Sequence, residues 1–345
     1  MLEISLPKSN STISAMGLGS MYFGTRISEQ EAYDLMDLYY ASGGRFIDTA
    51  NNYAFWMEGG RAGISEEVVG RWLAARNCRN DMVISTKVGA NPTTLDTECW
   101  HSALEGLSSV AIKKAIDESL KRLSTDYIDI YFLHVDQRKT PLEETMEAMA
   151  SLVESGKVKH IACSNMAAWR IQKAQGICAA NDWPSLIGVQ SWYSYLQPRY
   201  GANLNDGVQR FMDDEIFDYT SDHPGFLLFP YTSTLGGLYS WDTIYDRCHP
   251  ALYDNFFSED NERRLKVIKE IASNMQVSVY ELLFAWMRTK AETMIPILGV
   301  SSKKQLRTNL NALNLNLPED IIDSLNGASF NGKEYIDSEP FSLKR

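Results

Sequence analysis

YIDIYFLHVDQRKTPLEETMEAMASLVESGKVKHIACSN, residues 127–165, carries a complete strand–helix–strand unit. The apolar run 127–133 is short and near-continuous, as in a strand buried on both faces of a parallel sheet. Thr140 to Glu143 has the spacing of a capping box, and Pro141 sits where the first helical turn needs no donor. An amphipathic stretch then runs to Gly156, which suits a left-handed helix stop, and a second apolar run, 158–163, follows at once.

The same unit recurs in both directions along the chain. Ser28 to Glu31 opens another helix with capping-box spacing, and Gly43-Gly44 closes it. Over 109–123, Ile112, Ile116, Leu120 and Leu123 make one apolar face, with Asp117–Lys121 and Glu118–Arg122 pairs on the outer side. Candidate strands lie at 15–17, 45–48, 82–86, 127–133, 158–163, 186–189, 226–229 and 294–297. Eight strands alternating with helices, without a break in composition over 345 residues, predict one (β/α)8 TIM barrel spanning the chain as a single domain. Residues 2–14 suggest a small N-terminal β-hairpin. Two segments exceed ordinary connections, 90–107 after the third barrel strand and 231–259 after the seventh, and both leave strand ends where barrel active sites lie.

Composition narrows the function. Lys and Arg number 33 against 44 Asp and Glu, a net charge of -11, which argues against nucleic acid or an anionic membrane as partner. Five scattered cysteines with no CxxC pair argue against a disulfide framework, a metal site or a redox dithiol. No apolar run nears the ~18 residues of a membrane span, and MLEISLPKSN lacks a signal-peptide core, so a cytoplasmic protein is expected.

Polar residues stand at the ends of several strands: Asp48 in FIDTANNY with Tyr53 five residues on, Lys87 in VISTKVG, and His134 in YFLHVD. Ser164-Asn165, Gln190 and Tyr231 follow the next three strands. Each alone has a bland reading: a cap, a solvated stop, a satisfied histidine. Together on one rim they suit one task. A phenol of pKa ~10 is a poor acid at neutral pH, an ammonium beside it lowers that value, and a carboxylate holds the ammonium charged. An imidazole can orient a carbonyl oxygen. Such a site protonates a carbonyl oxygen while hydride reaches its carbon, and no protein side chain supplies hydride, so a nicotinamide cofactor is required.

At these residues the sequence resembles the aldo-keto reductases, from MGLGSMYFG at 16–24 to LGVSSKKQLRTNL at 298–310. FIDTANNY, SEEVVGRWL, DYIDIYFLHVD and the 140–165 stretch fall in family order and spacing. The resemblance implies a catalytic tetrad of Asp48, Tyr53, Lys87 and His134, with Tyr53 as proton donor. It further implies that Ser164, Asn165 and Gln190 hold the nicotinamide carboxamide and that Tyr231 stacks on its ring. Ser20, Met21 and Asp48 would lie beside the ribose, Thr232, Leu235 and Gly237 at the pyrophosphate, and Gly299, Ser301, Gln305 and Asn309 at the adenosine end. NADP(H) is the expected cofactor, with NAD(H) the alternative; Lys303, Lys304 and Arg307 form a basic cluster suited to a 2′-phosphate. The LGVSS…QL…N pattern is similar to the branch holding potassium-channel β-subunits and bacterial general reductases. Two departures stand out. Thr232-Ser233-Thr234 replaces the family's usual Ser-Pro-Leu, and Thr308 stands where the family often has Glu.

Phe55, Trp56, Trp100, His101 and Trp192 are candidates for a substrate mouth. A Rossmann reading of Gly17-Leu18-Gly19 fails because Tyr22 occupies the place of the third glycine, and no Tyr-x-x-x-Lys pair exists. The expected activity is reduction of an aldehyde or ketone, or the reverse oxidation. Its rival is a regulatory subunit that binds the cofactor to sense redox state and turns over slowly.

Overall fold

A computed structural model describes residues 1–345 except 8, 10, 95–102, 205–207, 246–250 and 329–345. Eight strands run parallel in one sheet: β3 (Gly17–Gly19), β4 (Phe46–Asp48), β5 (Val83–Val88), β6 (Ile128–Leu133), β7 (Val158–Ser164), β8 (Leu186–Trp192), β9 (Leu227–Tyr231) and β10 (Ile297–Leu298). Chain order is spatial order, except that β10 pairs back with β3. Leu228 bridges Met294 in parallel just before β10, which brings the two sheet edges together as a nearly closed (β/α)8 barrel. Before it, β1 (Glu3–Ser5) and β2 (Thr12–Ser14) form the expected antiparallel hairpin.

Helices α1 (Glu29–Ala41), α2 (Ile64–Arg76), α3 (Ser109–Leu123), α4 (Leu142–Glu154), α5 (Ala168–Ala180) and α6 (Asp214–Asp222) each follow one strand. After β9 come α7 (Glu259–Asn274) and α8 (Val279–Arg288), and after β10 come α9 (Lys303–Asn311) and α10 (Glu319–Asn326). Helix α10 lies against α7. The period of two along each strand divides the core. An inner cluster of Phe46, Ile130, Phe132, Ala162, Leu227, Phe229, Ile295 and Ile297 fills the barrel, and Leu6 and Ile13 of the hairpin join it. The larger cluster lies between sheet and helices.

Local signals mostly hold, with informative exceptions. Ser28 and Glu31 form the full capping box, and Gly43 and Gly156 adopt positive φ just past their helices. At α4 the N-cap is Pro141 instead of Thr140, and no side chain caps it. Proline's fixed φ favours the extended cap conformation there as readily as the first turn. Asp117 pairs with Lys157 at 2.5 Å, not with Lys121, because the residue before β7 reaches it first. The first barrel strand begins two residues later than its apolar run suggests. A third long connection, between β8 and α6, has no sequence signal, and its residues 210–212 lie over the end of β8, where Trp192 N donates to Arg210 O and Met212 N to Trp192 O.

Gly70 sets how closely α2 approaches α3. A Cβ there would fall 2.4 Å from Arg122 O and 2.8 Å from Leu123 Cα, both backbone atoms that cannot step aside. Alanine would add helix propensity, yet overpacking of this kind costs about 1–3 kcal/mol, so Gly70→Ala is expected to lower the urea midpoint. A raised midpoint would show that the helices can separate freely.

Candidate active site

One step beyond the apolar inner cluster, the same strand period delivers a polar layer. Two residues after Phe46 comes Asp48, two after Phe132 comes His134, two after Ala162 comes Ser164, and two after Phe229 comes Tyr231. Lys87 lies two residues after Ser85, and Ser85 is in register with Asp48 across β4 and β5. The loop after β4 then carries Tyr53 back over this layer, helped by Asn52 Nδ2 donating to Ala90 O at 3.0 Å.

The four expected catalytic residues come together. Lys87 Nζ donates to Asp48 Oδ2, to Thr49 O and to the Tyr53 hydroxyl oxygen, each at 2.7 Å, so all three ammonium hydrogens are engaged. Asp48 is 1% exposed and Lys87 is fully buried. Tyr53 OH lies 3.3 Å from Asp48 Oδ2, a long contact beside the short ones. The His134 ring meets the Tyr53 ring edge-on with centroids 5.9 Å apart, and its buried Nδ1 has no hydrogen-bond partner among the described residues.

The electrostatics correct one expectation. The ammonium was expected to make the phenol acidic, but burial and then the Asp48 carboxylate push Tyr53 well above the usual tyrosine range. Asp48 Oδ2 sits close to both groups, 3.3 Å from the phenol oxygen and 2.7 Å from the ammonium, and so opposes the field that Lys87 exerts on the phenol. Burial also draws Lys87 below its ordinary value, opposed by Asp48. Burial and the neighbouring ammonium hold His134 well below 6.5, as a neutral imidazole. The resting site therefore holds a protonated phenol and a neutral histidine.

Around the tetrad, Gln190 Nε2 donates to Asp48 Oδ1 at 3.1 Å, and Ser164 Oγ is buried with no partner among the described residues. Asn165, at φ 57°, is a brace. Its Nδ2 donates to His134 O at 3.1 Å, and its Oδ1 accepts from Tyr231 OH at 2.8 Å and from Arg210 N at 3.1 Å. One N–H of its amide is left for anything else. Ser20 Oγ donates to Asp48 O and meets Ser65 Oγ at 2.8 Å, which ties β3 to β4 and to the start of α2; Met21 beside it is half-buried. Thr232, Leu235, Gly236 and Gly237 all have positive φ, and Ser233 Oγ is buried there with no partner among the described residues. Gly299 faces open space, Ser301 N and Oγ both donate to Gln305 Oε1, and Asn309 is buried in α9. Lys303 pairs with Asp34 of α1 at 2.8 Å, which leaves Lys304 and Arg307 as the cations of that cluster.

Of the mouth candidates, Phe55 and Trp56 pack edge-on at 5.1 Å beside Tyr53, with Trp56 46% exposed. Trp192 departs from expectation: it is 1% exposed against Phe256, because the connections after β8 and β9 cover it. Trp100 and His101 lie outside the described residues. Two further residues support the site. Ser85 Oγ donates to Asp48 Oδ1 at 2.6 Å, a contact that the register of β4 and β5 sets and that no sequence period reveals. Glu105 Oε1 accepts from Asn51 Nδ2, Gly89 N and Asn91 N, which fastens the long loop after β5 to the tetrad's supports. No local signal marks it.

The profile of the Aldo/keto reductase family matches residues 15–329. The chain belongs to this family. Among its relatives is the protein tas of Escherichia coli, 27% identical over 334 residues that cover 92% of this chain and 94% of that one. An aryl-alcohol dehydrogenase of Pestalotiopsis microspora is 29% identical, covering 94% of this chain and 81% of that one. A thermostable aldo-keto reductase, solved with the inhibitor epalrestat, superposes with a TM-score of 0.69 at 23% identity, over 95% of this chain and all of that one, and bears out the fold. Family membership makes this barrel an oxidoreductase, of a family that generally uses nicotinamide cofactors. Among the described residues no helix is long and apolar enough to cross a membrane.

The neutral state of His134 has a measurable consequence. Its folded pKa is depressed below 6.5, so the unfolded chain binds the extra proton first as pH falls. The stability gained by keeping it neutral is fully present above about pH 6.5 and drains away below, towards the lower folded value. His134→Gln should flatten that part of the stability–pH curve in denaturant titrations. An unchanged slope would mean that His134 is not held neutral.

Proposed function

We propose that this chain reduces an aldehyde or ketone to the alcohol, with NADPH as preferred hydride source, NADH as the weaker alternative, and Tyr53 as proton donor. The observation that carries the reading is the Tyr53 hydroxyl, 2.7 Å from a buried ammonium and edge-on to a neutral imidazole. When bound, the nicotinamide supplies the hydride. The buried, partnerless Ser164 hydroxyl and the left-handed turns of 232–237 around the partnerless Ser233 hydroxyl fit such a cofactor. Ser164, Gln190 and the remaining Asn165 N–H would hold the carboxamide, Tyr231 the ring face, and Met21, Ser20 and Asp48 the ribose side. Thr232, Leu235 and Gly237 would take the pyrophosphate, and Gly299, Ser301, Gln305 and Asn309 the adenosine end, with Lys304 and Arg307 suited to a 2′-phosphate.

The residues' own work follows from their charge states. A protonated phenol gives its hydrogen to the carbonyl oxygen as the C=O π pair moves onto that oxygen. Lys87, donating to the same phenol oxygen, stabilises the phenolate as it forms. Neutral His134 orients the carbonyl without competing for the proton. Phe55 and Trp56 beside Tyr53 suit a flat apolar substrate, and the aryl-alcohol dehydrogenase among the relatives makes aromatic aldehydes the first compounds to try.

Tyr53→Phe is expected to lower carbonyl reduction about 10²–10⁴-fold while NADPH binding, read by fluorescence titration, stays within a few-fold of wild type. Retained turnover would overturn the assignment of the donor. Tight NADPH binding by the wild type with no turnover across a carbonyl panel would favour the redox-sensing subunit instead. Arg307→Ala should weaken NADPH binding and leave NADH unchanged; equal loss of both would remove the 2′-phosphate argument.

A further inference from the structure

The two oxygens of Asp48 have different work. Oδ2 faces the Lys87 ammonium at 2.7 Å and the Tyr53 hydroxyl at 3.3 Å, whereas Oδ1 accepts from two neutral donors, Ser85 Oγ at 2.6 Å and Gln190 Nε2 at 3.1 Å. The Ser85 contact is the shorter, and Ser85 is fully buried on β5, in register with Asp48 and two residues before Lys87. A short hydrogen bond at one oxygen resists rotation of the carboxylate about its Cβ–Cγ bond and so helps keep the other oxygen aimed at the cation. Gln190 alone would be a weaker hold, at a longer distance and at the end of a flexible side chain.

We propose that Ser85 is a positioning residue for the tetrad: its hydroxyl pins Asp48 Oδ1 and thereby keeps Oδ2 on Lys87 and the proton-donating phenol. The inference rests on the proposed carbonyl reduction for its catalytic meaning, but its physical content is the alignment of a buried ion pair. The charged and titratable groups facing that pair are Tyr53, which touches both ions, Glu66 of α2, which accepts from Thr86 beside Lys87, and His134 after β6, with Tyr231 at the end of β9 facing Tyr53. None of them replaces the Ser85 hydrogen bond. Glu66 is held by Arg122 at 2.6 Å, and Tyr231 donates to Asn165.

The experiment reads Lys87 directly. In protein carrying [13Cε]lysine, the Lys87 signal is assigned with Lys87→Arg and titrated without cofactor in wild type, Ser85→Ala and Ser85→Thr. Asp48 raises the Lys87 pKa against the opposing effect of burial, so a carboxylate freed to turn away should let Lys87 titrate at lower pH. Ser85→Ala is expected to shift the midpoint down by about half a unit or more and to lower kcat for carbonyl reduction about tenfold with cofactor affinity unchanged, as for loss of one hydrogen bond to a charged group. Ser85→Thr, which keeps the hydroxyl, should restore both. A Lys87 titration in Ser85→Ala that coincides with wild type overturns the proposal, as do equal shifts in the alanine and threonine variants. Should the alanine variant not fold, Ser85→Val against Ser85→Thr makes the same comparison at matched volume. Absence of any carbonyl turnover in the wild type would sink the proposed reaction while the Lys87 titration still decides the role of Ser85.

Discussion

The structure turns on a lysine and an aspartate buried together at the top of the barrel. Removing two charges from water costs several kcal/mol per ion after relaxation, and that cost is offset only where every donor and acceptor is satisfied. Here the accounts of both groups close. Lys87 has three hydrogens and three acceptors, and Asp48 receives Lys87, Ser85 and Gln190 with the phenol at its edge. Three strands and one loop must be correctly placed for that set to exist. The ion pair thus fixes where β4, β5, β8 and the Tyr53 loop end relative to one another.

Parallel strands make this arrangement available without special local structure. Each strand alternates inward and outward, and all eight finish at the same end, so extending several of them by one inward residue builds a ring. Below it the inward residues are Phe46, Phe132, Ala162 and Phe229, a dry plug that keeps water from approaching the charges from beneath. Above it the loops decide what enters. The long loop after β5 is fastened by Glu105, whose carboxyl burial pushes upward in pKa while Asn51, Gly89 and Asn91 oppose that push through a single oxygen.

Much of this was legible in the sequence, for a definable reason. A buried parallel strand announces itself by an apolar run, and the run stops where the chain turns polar. That stop marked the site well and the strand ends poorly. Residues 82–86 and 186–189 read as strands, yet the ladders of β5 and β8 continue through Lys87 and Gln190 to Val88 and Trp192. Lys87 and Gln190 are part of the sheet, not of the loops beyond it, whereas Tyr53 and His134 lie past the ends of β4 and β6. What one sequence did not disclose was long-range and polar: Ser85 on Asp48, Asn165 bracing His134 and Tyr231, and Glu105 gathering three donors. Each pairing joins segments whose separation carries no period, and Ser, Asn and Glu near a turn have many local explanations. Trp192 failed the other way, since an aromatic next to a site looks the same in sequence whether it lines a mouth or is roofed by later residues.

The charge balance also bears on how Tyr53, the proposed donor, would serve without being acidic at rest. Neighbours that depress a phenol's pKa far enough to help proton transfer also threaten to remove the proton before a substrate arrives. Burial first, and then the Asp48 carboxylate, keep the resting phenol protonated. The balance changes only as the proton leaves. The new phenolate then sits 2.7 Å from an ammonium whose hydrogen bond it strengthens, and 3.3 Å from a carboxylate it repels. A carboxylate free to follow the ammonium would lose that difference in distance, so in the proposed reaction the rigidity of Asp48 matters alongside its charge.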